Sequence, residues 1–199
     1  MMIVEATYMT FEFNTYVKWD DARWAAIEPL YREAFPHGAK PVGILRAMLD
    51  KKIAWLHTGY LDGKLAAMAV TGLSRPAAER MLIIDYMAVD AGLRGQGLGR
   101  KFLENIRDWA VRKHDIQAVL IEVEAGDTEE DAARVHFWEH CGFRVTEYVH
   151  QYIWLPEPYR AMVMPLTRDF TVTDDGQALF GRITDFHRKS FRKSESEGV

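Results

Sequence analysis

Residues 84–89 read Ile84-Asp85-Tyr86-Met87-Ala88-Val89, and residues 94–100 read Arg94-Gly95-Gln96-Gly97-Leu98-Gly99-Arg100. The first run closes a mostly apolar strand predicted from Met81 to Val89. The second is a glycine-rich turn that opens a helix from Arg100 to His114, whose Phe102, Leu103, Ile106, Trp109 and Ala110 recur on one face. Glycines at 95, 97 and 99 leave the backbone bare, so an anionic group can approach its N–H groups closely. The start of the helix adds partial positive charge at the same place, and Arg94 and Arg100 flank it. Such a strand–glycine loop–helix unit is a pyrophosphate cradle. A Walker loop would end in Gly-Lys-Ser/Thr, which is missing here. A dinucleotide loop would follow the first strand with G-x-G-x-x-G spacing, whereas this Arg-x-x-Gly-x-Gly follows about four strands.

Working outward, Val4 to Lys18 is rich in Thr, Tyr, Phe and Val and predicts a strand. Asp20 or Asp21 caps a helix carrying Trp24, Ile27, Leu30, Tyr31 and Phe35, which Pro29 is expected to kink or end early. Pro41 opens a short helix with Ile44, Leu45, Met48 and Leu49. Strands from Ile53 to Tyr60 and from Leu65 to Leu73 flank Asp62-Gly63, a pair that tight hairpin turns prefer. Downstream, Ala118 to Val123 predicts a buried strand and Asp131 to His140 a helix ended by Cys141-Gly142. From Phe143 to Leu155 the apolar odd positions predict a strand that buries Val145, Val149 and Ile153, and a last strand runs from Tyr159 to Leu166. Thr173 or Asp174 caps a final helix with Leu179, Ile183, Phe186 and Ser190 along one side, expected to dock on its own domain. Its basic end, Arg188, Lys189, Arg192 and Lys193, is expected to complement the helix dipole, and the polar tail Ser194 to Val199 is expected to fray. Helices interleaved with strands imply a mixed α/β sheet. Residues 1–167 form the main body and 168–199 a helical extension of the same domain.

Composition narrows the function. The chain has 199 residues, 48% hydrophobic and 27% charged, the balance of a globular protein with a sizeable core. A net charge of −4 argues against a broad nucleic-acid surface. Cys141 is the only cysteine, so neither an internal disulfide nor a multi-cysteine metal site can form. The seven histidines show no H-E-x-x-H or similar spacing, and no metal is expected. No basic segment followed by an apolar run opens the chain, and no apolar run nears the roughly 20 residues that span a bilayer. A cytoplasmic protein without membrane contact is expected.

The position of Arg94-x-x-Gly97-x-Gly99 after a fourth strand resembles the GNAT superfamily of N-acetyltransferases. The likeness continues at Phe137-Trp138-Glu139-His140-Cys141-Gly142-Phe143, which is similar to that family's helix ending in an aromatic pair and then Gly-Phe. In element order it covers Val4 to Leu166, with specific motifs over 84–99 and 131–143. It implies a mostly antiparallel sheet of about seven strands, splayed between strands 4 and 5, with helices on both faces. It implies acetyl-CoA as co-substrate, its arm in the splay against Met87, Ala88 and Val89. The pyrophosphate would lie on Gly95, Gln96, Gly97, Leu98, Gly99 and Arg100, beside Arg94. The acceptor would be an amine on a small molecule or peptide that attacks the thioester directly, in a monomer or homodimer.

Two proton transfers then need groups. Candidates for the base are Asp85, which shares strand parity with Met87 and Val89, and Glu122 or Glu124 on the next strand. The family usually places a tyrosine acid where this chain has Trp138, whose indole cannot serve, so Trp138 is expected to pack against the arm. Tyr148, His136 and Cys141 are substitutes for that acid. The family's asparagine falls on Asp131, a carboxylate unsuited to phosphates. Glu28, Glu33, Phe35 and His37 lie where relatives border the acceptor site. The acidic loop from Ala125 to Asp131 either attracts a cationic amine or favours the helix that follows. The missing tyrosine and asparagine leave a second expectation open, a non-catalytic acyl-CoA-binding module.

Overall fold

A computed structural model describes residues 9–74, 80–167, 170 and 175–192. The expected strand residues 4–8, the caps at Thr173 and Asp174, and residues 193–199 lie outside the described residues. Strands β1 (Phe11–Tyr16), β2 (Ala54–Leu61), β3 (Lys64–Leu73), β4 (Met81–Val89), β5 (Ala118–Glu124), β6 (Arg144–Gln151) and β7 (Pro158–Pro165) alternate with helices α1 (Asp21–Ala34), α2 (Val42–Asp50), α3 (Leu98–His114), α4 (Glu129–His140) and α5 (Gly176–Phe191). The strands form one sheet in the order β1-β2-β3-β4-β5-β7-β6. All neighbours are antiparallel except β4 and β5, which are parallel.

The hairpin register follows from its turn. Asp62 and Gly63 both have positive φ, at 49° and 78°, as a two-residue turn matching strand twist requires. One sheet face buries Trp24, Ile27 and Tyr31 of α1, Met48 of α2 and Phe180 of α5. The other buries Phe102 and Ile106 of α3 and Trp138 of α4. The helices therefore cover both faces.

Three expectations change. Helix α1 does not end at Pro29 but continues to Ala34. Buried Trp24 and Ile27 before the proline and Leu30 and Tyr31 after it hold one apolar stripe together, and tertiary packing overrides the lost backbone bond. Strand β6 buries the opposite parity from the one expected. Val145, Val149 and Ile153 are exposed, Ile153 to 96%, while Thr146 and Tyr152 are buried. Helix α5 lies across the even positions, with Phe180 stacked on His150 at 4.3 Å, so the side that a helix covers, not apolar alternation, sets the buried face. Strand β4 carries a bulge. Val70 pairs with Tyr86 and Thr71 with Ile84, leaving Asp85 as the extra residue. Asp85 therefore does not share parity with Met87 and Val89. Those two pack toward α3 and α4, whereas Asp85 meets Lys40 and His187 on the opposite face.

Candidate active site

Strands β4 and β5 pair only from Met81 with Ala118 to Ile83 with Leu120. Beyond that, β4 stays paired to β3 as far as Val89 and β5 to β7 as far as Glu124, so their facing edges are free across a gap.

On the α3/α4 side, the gap opens onto the glycine loop. Asp90 accepts from Gly92 N–H at 2.9 Å and holds a single 3-10 turn over Ala91–Leu93, and Arg94 Nε donates to the Val89 carbonyl at 3.2 Å. Gly95 and Gly97 then take φ of 75° and 77°, a region that L side chains rarely adopt. A Cβ on either would point into open space. Gly97 begins α3 without a side-chain cap and the first turn carries no acid, so its N–H groups and the positive end of the dipole face that space. Gly99 does a different job. A Cβ there would come within 3.2 Å of the Phe137 ring, so its absence lets α3 approach α4. This bare helix start fits a pyrophosphate by its donors and its charge.

Met87, Ala88, Val89, Arg94, Gly95, Gly97, Leu98, Gly99, Arg100 and Trp138 all line one cavity of about 2110 Å³. Gln96 is exposed outside it. The volume exceeds the ~300–1,000 Å³ of a pocket for one drug-sized ligand and leaves room for two reactants. Trp138 packs edge-on against Phe137 at 5.0 Å and Phe143 at 5.1 Å. Asp131 turns inward to cap its own helix: the Thr128 hydroxyl donates to it at 2.6 Å and Arg134 stands 3.3 Å away. The Thr128 hydroxyl holds its carboxyl below the usual range. Asp131 thus caps α4, with Glu129 and Glu130 beside it in the first turn.

On the α1/α2/α5 side, the cavity ends on a charged cluster. Lys40 Nζ donates to both oxygens of Asp85, at 2.7 and 2.8 Å. The lysine is held by its backbone: its N–H donates to the Tyr86 hydroxyl at 3.0 Å, and its carbonyl accepts from the Tyr31 hydroxyl at 3.2 Å. Burial pushes the Tyr31 hydroxyl up to about 12 and the Tyr86 hydroxyl further, so both remain protonated donors. His187 Nε2 lies 3.1 Å from Asp85 and 3.7 Å from Glu122. Tyr152 donates to Glu122 at 2.7 Å, and its oxygen is 3.3 Å from His187 Nδ1. Burial, with Glu122 beside it, pushes the Tyr152 hydroxyl well up.

Of the sequence candidates, Asp85 and Glu122 come together here, while Glu124 pairs with Arg134 at 3.0 Å. Tyr148 lies outside the cavity, under α5 near Phe180, with its hydroxyl 3.3 Å from His150 Nδ1. Cys141 lines the cavity with a thiol that burial pushes up; His136 instead packs at a tilt against His140, with ring centres 4.0 Å apart. Glu33, Phe35 and His37 line it, and Glu28 pairs with Arg32 along α1. Sequence reasoning missed Lys40, Tyr152 and His187. His187 was legible in part, since it stands four residues after Ile183 on the stripe that α5 buries. Among the described residues there is no group of side chains that could hold a metal, and no helix long and apolar enough to cross a membrane.

Residues 18–143 match the model of the acetyltransferase (GNAT) family. No curated protein matches the sequence. Among solved structures, a GNAT-family protein from Bacteroides thetaiotaomicron superposes with a TM-score of 0.66 at 18% identity, covering 89% of this chain and 94% of that one. A Bacillus subtilis acetyltransferase in complex with CoA gives 0.57 at 16% identity, over 80% of this chain and 100% of the other. The ribosomal-protein-S18-alanine N-acetyltransferase of Escherichia coli gives 0.58 at 19% identity, over 78% and 95%. At these identities the likeness is one of fold.

Proposed function

We propose, from the premise that the chain belongs to the GNAT acetyltransferase family, that it moves an acetyl group from acetyl-CoA to an amine on a small molecule or peptide. The observation that carries this reading is the through-going gap. A bare helix start lies at one mouth of the cavity and a cluster of titratable side chains at the other. Acetyl-CoA supplies the acyl group as a thioester. The N–H groups from Gly95 to Arg100 would hold its pyrophosphate, and the free β4 edge at Met87 and Val89 would receive its arm, with Trp138 closing one wall. That a B. subtilis relative of this fold was solved with CoA supports the assignment, as does the amine-acetylating name of the E. coli relative. The amine enters from the α1/α2/α5 side. A lysine-like amine, with a pKa of about 10, must lose a proton there, while a thiol of pKa about 8.5 departs with little help. Trp138 favours a second reading, acyl-CoA binding without turnover, because it stands where the family usually carries its tyrosine acid.

Calorimetric titration with acetyl-CoA tests the site directly. Wild-type protein is expected to bind, and Gly97→Trp, which places an indole in the open space of the cradle, to lose binding while its circular dichroism stays native. A folded wild type that does not bind overturns the acetyl-CoA assignment. Binding without thiol release across a broad amine panel decides for the second reading.

A further inference from the structure

We propose that α5 completes this site: His187 is the terminal acceptor of the amine's proton, which reaches it through the Tyr152 hydroxyl, while Asp85 and Lys40 act as a positioning pair that fixes the ring. The proposal rests on the acyl-transfer reading and adds to it a device on a helix beyond the residues that match the family, 18–143.

Asp85 itself is a poor base. Its side chain is 2% exposed and both oxygens are taken by Lys40. Burial opposes its charge, but Lys40 and His187 outweigh burial and hold the carboxyl down at about 2. An ionised carboxylate can only accept, so the neutral ring must carry its proton on Nε2, toward Asp85. The lone pair is then on Nδ1, which faces the Tyr152 hydroxyl. That hydroxyl has one proton and two acceptors within reach, Nδ1 at 3.3 Å and Glu122 at 2.7 Å. Once Nδ1 is protonated the conflict ends. Nδ1–H donates to Tyr152, Tyr152 donates to Glu122, and Nε2–H donates to Asp85. In that arrangement each ring N–H has an acceptor. Also facing the cluster among the described residues are Tyr31 of α1, Tyr86 of β4, Tyr159 of β7 and His150 of β6, whose ring is 4.6 Å from that of Tyr152. Arg188 turns instead to Asp185 at 2.8 Å.

In the step itself the nitrogen of a neutral amine bonds to the thioester carbon, the carbon–sulfur bond breaks, and its electron pair leaves on sulfur. One N–H proton passes to the Tyr152 oxygen as the Tyr152 proton passes to Nδ1. The products are an amide, a thiolate and the His187 imidazolium, with atoms and charge balanced.

The test combines kinetics with a measurement on the free protein. His187→Gln and Tyr152→Phe are each expected to lower kcat about 10²–10⁴-fold, the usual contribution of acid–base catalysis. Both should leave calorimetric acetyl-CoA affinity unchanged, and the one-proton limb of the wild-type pH–rate profile should vanish in His187→Gln. In ¹⁵N-histidine spectra of the substrate-free wild type, the neutral His187 ring should be protonated at Nε2, and Asp85→Asn should mix the tautomers. Either variant turning over at the wild-type rate with the wild-type pH limb overturns the relay while acyl transfer stands. A neutral ring protonated at Nδ1 overturns it whatever the activity. A wild type that binds no acetyl-CoA overturns the acyl-transfer reading and takes the relay's role with it.

Discussion

His57 stands in the middle of β2 with no exposed surface, its Nδ1 2.9 Å from Thr15 Oγ1 and its Nε2 2.8 Å from Thr71 Oγ1. Its partners are neutral hydroxyls, and the Phe13 ring stacks on it at 5.6 Å. Burial without a counter-charge pushes its pKa down from 6.5 to about 3. The Asp85 side chain, 2% exposed, sits against Lys40, which is why it keeps its charge where His57 stays neutral. The sign for His57 follows from linkage. Below pH 6.5 the unfolded chain takes up a proton that the folded chain refuses until about pH 3. Stability is therefore full above 6.5 and falls as pH drops through that window, by at most about 1.4 kcal/mol per pH unit. Urea unfolding at pH 7 and pH 4.5 should show this loss in the wild type and a smaller loss in His57→Gln. Equal losses in the two proteins would mean that His57 is not the residue responsible. Sequence spacing did not mark His57 as a structural ring, because its partners Thr15 and Thr71 reach it from the neighbouring strands of the sheet.

At the scale of elements, α5 and β6 define each other. Gly176, at the start of α5, lies so close to β6 that a Cβ would come within 2.8 Å of both Thr146 and Tyr148. Gly176→Val therefore has to lift the helix, at about 1–3 kcal/mol for an overpacked contact. Melting should fall by about 2–4 °C per kcal/mol for a chain of this size. Because α5 also carries His187, turnover should drop in the same variant while acetyl-CoA affinity, set on the far side of the sheet, holds. A melting temperature and turnover both at wild-type values would show that the contact between α5 and β6 is looser than this. The order of elements was legible because periodicity and turn chemistry are local: Asp62-Gly63, the Pro41 helix start and the apolar stripe of α3 each appear where the residues require. Parity in β6 and β4 was not. In β6 it depends on which side α5 covers, and in β4 on a one-residue bulge that only the pairing with β3 reveals.

For the whole molecule, the sheet is a wall with one breach, and the two halves of the proposed chemistry lie on its opposite faces. A ligand that fills the breach binds only the folded state and stabilises it by mass action. At 100 times its dissociation constant, acetyl-CoA should add about 2.7 kcal/mol. For a chain of this size that raises the melting temperature by roughly 5–11 °C. Scanning calorimetry with and without acetyl-CoA measures it, and a ligand-independent melting temperature in the wild type would contradict binding in the breach. The bare glycine loop was readable from residues 94–100 alone, since left-handed glycines and an uncapped helix start are properties of a short contiguous segment. So were the mixed α/β class and the seven strands in their order, which contiguous periodicity encodes. What tertiary structure alone decided is the charged cluster at the other end of the cavity. Lys40, Asp85, Glu122, Tyr152 and His187 come from five separate places in the chain, and contacts such as Asp85 with His187 span 102 positions. Local rules of spacing carry no record of such meetings, because they arise only when α1, α2 and α5 pack on one face of a sheet parted between β4 and β5.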